Sequence, residues 1–301
     1  MDGTRETPVR SALFVPANRA DWIDGAHRHG ADALVLDLED ATPPAEKVAA
    51  REIVAERLPQ LAERGQQVWV RVNALETDHA ESDLAAVCAP GVGVICLPKA
   101  SPEDVVAADR LIAHAEGRNG LPLGTIGLYP LLETANALLN AAAVFAASPR
   151  VRYGGALATP GADIEFALGY RLTGSFEETL AYRSMVLLAA RAAGIENPVT
   201  GLVSSLDEEL MRRFALQSRA IGYAGMFVIH PSQVRVANEV FSPTDAEIAW
   251  SDEVLGTYVS AVDAGRGAVL DSHGRMIDLA MLRTAERVRD RARHFTESSH
   301  A

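Results

Sequence analysis

Two acidic residues that follow apolar runs are the features of this sequence best suited to chemistry. Glu133 comes directly after the run that ends at Leu132, and Asp163 lies in a glycine-flanked segment after a second run. Each run has the composition of a buried strand, so both carboxylates are predicted to lie at strand ends. Such a pair of oxygen donors suits Mg²⁺, which takes one or two protein carboxylates and leaves its other positions to water and substrate. The pair therefore indicates a Mg²⁺-assisted reaction on an oxygen-bearing substrate.

Short apolar stretches alternate with helix-period segments along most of the sequence. Eight of these stretches are predicted to be strands, at residues 12–15, 33–36, 68–72, 94–97, 126–132, 151–155, 198–200 and 226–229. The helix-period segments between them include residues 44–61, 102–115, 135–147 and 177–193. Eight strands, each followed by a helix, predict an α/β fold of the (β/α)8 TIM-barrel type, with the active site at the carboxyl ends of the strands.

Polar side chains occur at the carboxyl ends of these predicted strands. They are, in chain order, Asp37, Glu39, Asp40, Arg71, Asn73, Lys99, Glu133, Asp163 and His230. Of the three acids after the second strand, one or two are expected to hold metal-bound waters or to orient a cation. The others are expected only to accept backbone hydrogen bonds. His230 is expected to be either a buried, hydrogen-bonded residue or a catalytic one.

The chain continues past the last predicted strand into a segment of different character. Two further helices are predicted at residues 245–262 and 279–294, with a glycine-punctuated stretch between them. We therefore expect a TIM-barrel catalytic domain over residues 1–235 and a helical extension over residues 236–301. Such an extension beyond a barrel is expected to act as a lid or as an oligomer contact.

Composition restricts the partners. A net charge of −12 over 301 residues disfavours nucleic acid and anionic membrane surfaces, because both require a basic footprint. An anionic substrate would need local cations. The two cysteines, Cys88 and Cys96, have no metal-binding spacing and are expected to be buried thiols in a reducing compartment. Without a signal peptide or a membrane-spanning stretch in the sequence, the expected location is the cytoplasm.

A series of short motifs occurs in fixed order along the sequence. They are Arg10-Ser11-Ala12-Leu13-Phe14-Val15-Pro16, Asp37-Leu38-Glu39-Asp40-Ala41, Val70-Arg71-Val72-Asn73, Leu97-Pro98-Lys99, Glu133-Thr134-Ala135, Ile229-His230-Pro231-Ser232-Gln233 and Gly274-Arg275-Met276-Ile277-Asp278. With these motifs the sequence resembles the HpcH/HpaI aldolase and citrate lyase family, in particular the citrate lyase beta-subunit-like CoA-ester lyases. The motifs span nearly the whole chain, and together they are specific for the family but not for the substrate.

The resemblance implies a Mg²⁺-dependent lyase that makes or breaks a carbon–carbon bond beside a thioester carbonyl, as in malyl-CoA, citramalyl-CoA or citryl-CoA. Glu133 and Asp163 match the metal ligands of the family, and Glu133 also lies where substrate binds. Arg71 matches the arginine that binds substrate, and its guanidinium suits a carboxylate or an enolate oxygen. Asp278 matches an aspartate that serves as acid/base in a neighbouring subunit, which implies a homo-oligomer, either a trimer or a hexamer. Glu39 is a further candidate for the catalytic group.

Departures from the family pattern leave other interpretations open. Ala17 and Met226 replace a glycine and a lysine that are usual in the family, which puts CoA specificity in doubt. One alternative is therefore a Mg²⁺-dependent class II aldolase that acts on free 2-oxo acids without CoA, and another is a non-catalytic subunit. Lys47 and Arg51 could meet CoA phosphates, although structural pairing with the nearby acids is favoured.

Overall fold

The computed structural model describes residues 6–158, 163–201, 203–263, 269–270, 276–277 and 279–298. The chain divides into two compact units, Met1–Phe241 and Ser242–Ala301. The boundary expected from the sequence, between residues 235 and 236, falls inside the last helix of the first unit, Pro231–Phe241. Among the described residues no helix is long and apolar enough to cross a membrane.

A sheet of parallel strands forms the centre of the first unit. Its seven strands are β1 (Ser11–Pro16), β2 (Ala33–Asp37), β3 (Gln67–Arg71), β4 (Val92–Leu97), β5 (Gly127–Pro130), β6 (Val199–Thr200) and β7 (Gly225–Val228). They are ordered β5-β4-β3-β2-β1-β7-β6, and every pairing is parallel. Parallel neighbours need crossover connections, and helices supply them here. The architecture is α/β and TIM-barrel-like.

The helices of the first unit follow the strands in turn. They are α1 (Ala20–Gly25), α2 (Lys47–Glu63), α3 (Ala80–Val87), α4 (Pro102–Arg118), α5 (Ala135–Leu139), α6 (Ala141–Ala146), α7 (Asp163–Leu168), α8 (Glu177–Ala192), α9 (Glu208–Ile221) and α10 (Pro231–Phe241). Helix α4 shows why these boundaries arise, because Ser101 and Asp104 form a reciprocal capping box and Pro102 occupies the first turn. The expected helix at 135–147 is interrupted at Asn140.

The strand predicted at residues 151–155 is not formed as a regular strand, which corrects the expectation of eight. Its backbone still forms hydrogen bonds with β5 on one side and with β6 on the other. Arg152 N donates to Leu128 O of β5 at 3.2 Å, and Val199 N of β6 donates to Gly154 O at 3.1 Å. At Gly155 an added Cβ would lie only 1.8 Å from Val199 O. The backbones therefore approach too closely there for side chains to alternate as in a regular ladder.

Aromatic rings from several strands meet in the interior of the first unit. Trp69 of β3 lies with its ring centroid 6.0 Å from Tyr129 of β5 and 6.0 Å from Phe227 of β7. Tyr153, from the irregular segment, packs 4.6 Å from the same indole. All four rings are buried, so they join strands that are distant in sequence into one core.

The opposite end of the sheet, away from the strand ends that carry the acids, holds the incoming chain. Thr7 N donates to Tyr153 Oη at 2.9 Å, and Tyr153 Oη donates back to Thr7 O at 2.8 Å. Glu6 accepts hydrogen bonds from the backbone N–H groups of Glu196 and Asn197. The residues just before β1 are thereby fixed to the end of the molecule where the strands begin.

The second unit is a small helical module. Its helices are α11 (Asp245–Asp263) and α12 (Leu279–Ser298), and a two-residue antiparallel pairing joins β8 (Val269–Leu270) to β9 (Met276–Ile277). The helices expected at 245–262 and 279–294 match these two. A separate apolar cluster of Val254, Leu255, Ile277 and Ala285 forms its core.

Candidate active site

Arg71 at the end of β3 is held by the acids that follow β2. Its Nε and Nη2 donate to the two carboxylate oxygens of Asp37, each at 2.7 Å. Its Nη1 lies 3.0 Å from Glu39 Oε2 and 3.4 Å from Asp40 Oδ2. Because the strands are parallel neighbours in register, Asp37 and Arg71 are paired residues at the same sheet end. The adjacent acids keep the pKa of Arg71 above its usual value despite burial, so the guanidinium is a permanent cation.

The loop after β2 is fixed by two buried groups. Asp37 accepts from the backbone N–H groups of Glu39 and Ala41, each at 3.0 Å, in addition to its two bonds from Arg71. Lys47 reaches from α2 and donates to the carbonyls of Leu38 and Glu39, each at 2.8 Å. Asp37 is therefore fully engaged as an acceptor for neighbouring groups, and the loop presents Glu39 in a fixed position.

Glu39 is a largely buried acid, and one of its carboxylate oxygens has no hydrogen-bond partner among the described residues. Its Oε2 lies beside Arg71 but makes no hydrogen bond with any described residue. Burial raises the pKa of Glu39 to about 8, with Arg71 opposing the shift and the nearby Glu133 adding to it. A carboxyl group of this kind, beside a guanidinium, is a candidate to exchange a proton or to accept a hydrogen bond from a bound water.

Glu133 lies three positions after the end of β5 and is almost fully buried. Its Oε2 accepts a hydrogen bond from Lys99 N at 3.0 Å. Burial raises the pKa of Glu133 to about 7, while Arg71 opposes the rise and Asp163 contributes to it. The carboxylate thus carries little compensation for its charge, and a cation at this position would stabilise it.

Asp163 is the first residue of α7 and is half exposed. Its Oδ2 lies 2.9 Å from Lys99 Nζ. Lys99 therefore contacts both of the expected metal ligands, Glu133 through its backbone and Asp163 through its ammonium. The two acids, thirty positions apart in sequence, are thereby brought within the length of one lysine residue of each other.

The donor set fits a divalent cation of the Mg²⁺ type. Glu39 contributes a buried oxygen without a hydrogen bond, Glu133 is an anion buried with weak compensation, and Asp163 already binds a positive group. Within the described ranges no group of three or more His, Cys, Asp or Glu side chains is arranged to hold a metal. Two carboxylates are sufficient for Mg²⁺, which keeps several water ligands. Ligation by Glu133 and Asp163 stays a prediction.

Other polar residues singled out in the sequence have structural partners. Arg51 donates through Nε to Asp83 at 2.9 Å, and Lys47 donates to backbone carbonyls. Both of the cations that were considered for binding CoA phosphates are therefore engaged inside the protein. His230 is exposed, and its Nδ1 lies 2.8 Å from Ser232 Oγ at the start of α10. Both cysteines are free and buried, as expected. Asp278 lies outside the described residues.

Two residues that shape the site were not assigned a role from the sequence. Gln233 is buried, accepts from Ile229 N at 2.9 Å and donates to Val203 O at 2.8 Å, so it ties the end of β7 to the segment after β6. Lys99 has a left-handed backbone, with φ of 50°. A sequence indicates such a conformation only for glycine and asparagine, so its contacts to both acids were not foreseeable.

Comparisons with known proteins identify the class. Residues 10–231 match the HpcH/HpaI aldolase/citrate lyase family model. The citrate lyase subunit beta of Leuconostoc mesenteroides subsp. cremoris is 32% identical over 280 residues, covering 93% of this chain and 91% of that one. The (3S)-malyl-CoA thioesterase of Cereibacter sphaeroides is 34% identical over 286 residues, covering 92% of each chain. The chain belongs to the HpcH/HpaI aldolase/citrate lyase family.

A solved structure supports the same assignment. The protein CitE of Mycobacterium tuberculosis, in complex with magnesium, acetoacetate and coenzyme A, is 30% identical and superimposes with a TM-score of 0.71. The match covers 95% of this chain and 98% of that one. The similarity therefore includes the second unit as well as the barrel-like first unit.

Proposed function

We propose that this protein is a Mg²⁺-dependent carbon–carbon lyase acting on a 3-hydroxy-dicarboxyl-CoA thioester such as malyl-CoA, citramalyl-CoA or citryl-CoA. The products would be a 2-oxo acid and acetyl-CoA, and the reverse condensation would use the same site. The observation that carries the proposal is the convergence of Glu133 and Asp163 on Lys99, next to the guanidinium of Arg71. Relatives that are named as a thioesterase and a lyase of malyl-CoA support it.

The bound metal belongs to Glu133 and Asp163 in this proposal. A divalent ion there would act as a Lewis acid on the carboxylate and the adjacent oxygen of the small acid. The chain supplies the rest. Arg71 is locked by Asp37, its Nη1 lies beside Glu39 and Asp40, and its guanidinium would stabilise negative charge on an enolate oxygen. Glu39 Oε2 would hold or move a proton beside it.

Asp278 is proposed as the acid/base that moves a proton on the acetyl methyl group, provided by a neighbouring subunit. It lies between β9 and α12 in sequence. The flanking side chains of Leu270, Met276 and Leu279 are more than half exposed, and exposed apolar residues of this size favour a docking surface. A closed barrel in which the irregular segment 151–155 takes the place of an eighth strand, a lid formed by residues 236–301, a homotrimer or a hexamer, and a cytoplasmic location belong to the same proposal.

A class II aldolase on free 2-oxo acids is the second candidate function. The observation that favours it is the engagement of Lys47 and Arg51 in internal bonds, which removes two cations from the set available for CoA phosphates. The replacement of the family's glycine and lysine by Ala17 and Met226 points the same way.

The test is to supply acetyl-CoA with pyruvate, glyoxylate or oxaloacetate, with Mg²⁺ or with EDTA, and to detect the condensed CoA ester by mass spectrometry. We expect Mg²⁺-dependent product in at least one mixture and none with Glu133→Gln. Turnover of a free 2-oxo acid with an aldehyde, without any CoA ester formed, would select the aldolase. Inactivity of the folded, metal-loaded protein in both assays would support the non-catalytic alternative.

A further inference from the structure

Lys99 holds an unusual place in the composition of the chain. The sequence contains only two lysines among its 28 basic residues, Lys47 and Lys99, and both are at the strand-end site. An ammonium is a compact charge on a flexible stem, whereas a guanidinium binds carboxylates in a fixed two-point geometry. Lys47 is buried with acceptors around its ammonium. Lys99 has a side chain 43% exposed, so its ammonium can move.

The backbone of Lys99 is fixed although its side chain is not. Leu131 N donates to Leu97 O at 2.8 Å, and Ala100 N donates to Leu131 O at 3.2 Å. Between these bonds the chain bulges at Lys99, which adopts φ of 50° and directs its N–H to Glu133. A left-handed non-glycine residue is retained where surrounding bonds determine it. The root of the side chain is therefore stationary, and only its ammonium is free to change partner.

The net negative charge of the site means that an anionic substrate needs a cation that can move to face it. The described acids of this cluster, Asp37, Glu39, Asp40, Glu133 and Asp163, outnumber its cations, Arg71, Lys99 and Lys47. The Lys47 ammonium is already bound to two backbone carbonyls and to Asn73. The guanidinium of Arg71 is already bound at two points by Asp37. A small acid entering this field is repelled unless further positive charge faces it. The Lys99 ammonium is the described cation that a metal at Asp163 would release.

We propose that Lys99 is an exchanging cation. Its ammonium occupies the position of positive charge beside Asp163 until a divalent cation binds, and it then turns to the carboxylate of the acid substrate. This inference rests on the proposed function, because it takes Asp163 as a metal ligand. The exchange breaks one ion pair and forms two, and no covalent bond changes.

The presence of only two lysines makes the exchange directly measurable. Acylation of the native protein with a limiting amount of acetic anhydride, followed by peptide mass spectrometry, reports the accessibility of each lysine amine. We expect Mg²⁺ to raise the acylation of Lys99 about fivefold, the upper range for breaking an exposed ion pair. Pyruvate added with Mg²⁺ should reverse most of that rise, whereas pyruvate alone should do nothing. Lys47, which is buried and away from the exchange, is the internal control and should stay unmodified throughout.

Calorimetric titration of Lys99 variants gives a second readout, in which the affinities for Mg²⁺ and for pyruvate should change in opposite directions. Lys99→Met removes the competing cation, so Mg²⁺ should bind about three- to fivefold more tightly. The same variant, saturated with Mg²⁺, should bind pyruvate at least about tenfold more weakly, because a charge-assisted hydrogen bond is lost. Lys99→Arg keeps the charge and should stay within about threefold of the wild type in both titrations.

The outcomes separate this inference from the function on which it rests. If Mg²⁺ binds the wild type and is lost in Glu133→Gln, but leaves Lys99 acylation unchanged, the exchange is wrong and the lyase proposal stands. Weaker Mg²⁺ binding by Lys99→Met would also overturn it, because Lys99 would then be organising Asp163 instead of competing with the metal. If the wild type binds no Mg²⁺, the metal assignment and the exchange both fail.

Discussion

At the residue scale, the positions of the chemical groups could be predicted from the sequence but their partners could not. Arg71, Glu133 and Asp163 were expected at strand ends, and the structure places all three at one end of the sheet. Arg71 was expected to hold substrate, yet its two-point contact is with Asp37. The position of a residue at a strand end can be predicted because apolar strands alternate with helical segments along the sequence. Which groups form ion pairs depends on which strands become neighbours in the sheet.

Removing the charge of Glu133 should abolish metal binding without harming the fold. In Glu133→Gln the amide oxygen can still accept the hydrogen bond from Lys99 N, and a buried charge disappears. We expect loss of Mg²⁺ binding by calorimetry and a fall in kcat/KM of about a thousandfold, the size of a lost metal contribution of several kcal/mol. The melting temperature should be unchanged or higher. The control is Glu103→Gln, because Glu103 is an exposed acid on α4. Normal turnover by Glu133→Gln would refute the assignment of Glu133 as a metal ligand.

The Arg71→Lys substitution should separate the effect of the two-point guanidinium contact from the effect of the positive charge at this position. Lysine keeps the cation but cannot span both oxygens of Asp37, so we expect at least a tenfold loss of kcat/KM and a loss of about 2 kcal/mol in the free energy of unfolding. Arg10→Lys is a matched control, because Arg10 also holds one carboxylate, that of Asp32, at two points through Nε and Nη2.

The control variant lies at the opposite end of the strands and should lose stability without losing activity. Chemical denaturation and steady-state kinetics on both proteins provide the comparison. Equal kcat/KM for Arg71→Lys and the wild type would show that Arg71 has only a structural function.

At the element scale, most of the barrel-like unit follows from hydrophobic patterning. The predicted strands at 12–15, 33–36 and 94–97 lie wholly inside observed strands, because continuous apolar runs bounded by polar residues indicate buried parallel strands. The stretch at 151–155 was also predicted to be a strand, but it contains Gly154 and Gly155, where other residues approach the backbone closely. Hydrophobic periodicity carries no information about such close backbone contacts. A regular strand was therefore predicted at 151–155, where the backbone is irregular.

Gly155→Ala should be among the most damaging single substitutions in the protein. The new methyl group would meet the carbonyl oxygen of Val199, and the bond between Gly201 N and Ala156 O would be displaced with it. We expect a loss on the order of 4 kcal/mol, or failure to fold, by thermal denaturation. Gly117→Ala on α4 has open space around its Cβ and should stabilise the protein by about 0.5–1 kcal/mol. A Gly155→Ala protein that melts like the wild type would show that the segment can move away from β6.

At the scale of the whole molecule, a site assembled from two subunits is the consequence of the proposed role of Asp278. Asp278→Ala and Glu133→Gln should each be inactive as homo-oligomers. After mixing under conditions of subunit exchange, some sites combine an intact barrel with an intact Asp278, so part of the activity should return. Kinetics before and after mixing, with exchange confirmed by native mass spectrometry, provide the measurement. Exchange without any recovery, or a fully active monomer, would exclude action in trans.

The way the chain enters its first strand determines how the enzyme would be oriented on a surface. Glu6 and Thr7 are anchored to Asn197 and Tyr153 at the end of the sheet where strands begin, whereas Glu133 lies at the end where they finish. A linker joined directly to Glu6 would therefore start on the side of the first unit opposite the acids. Protein immobilised through such a linker would face the bulk solution with its reactive end, and substrate would reach it without crossing the support.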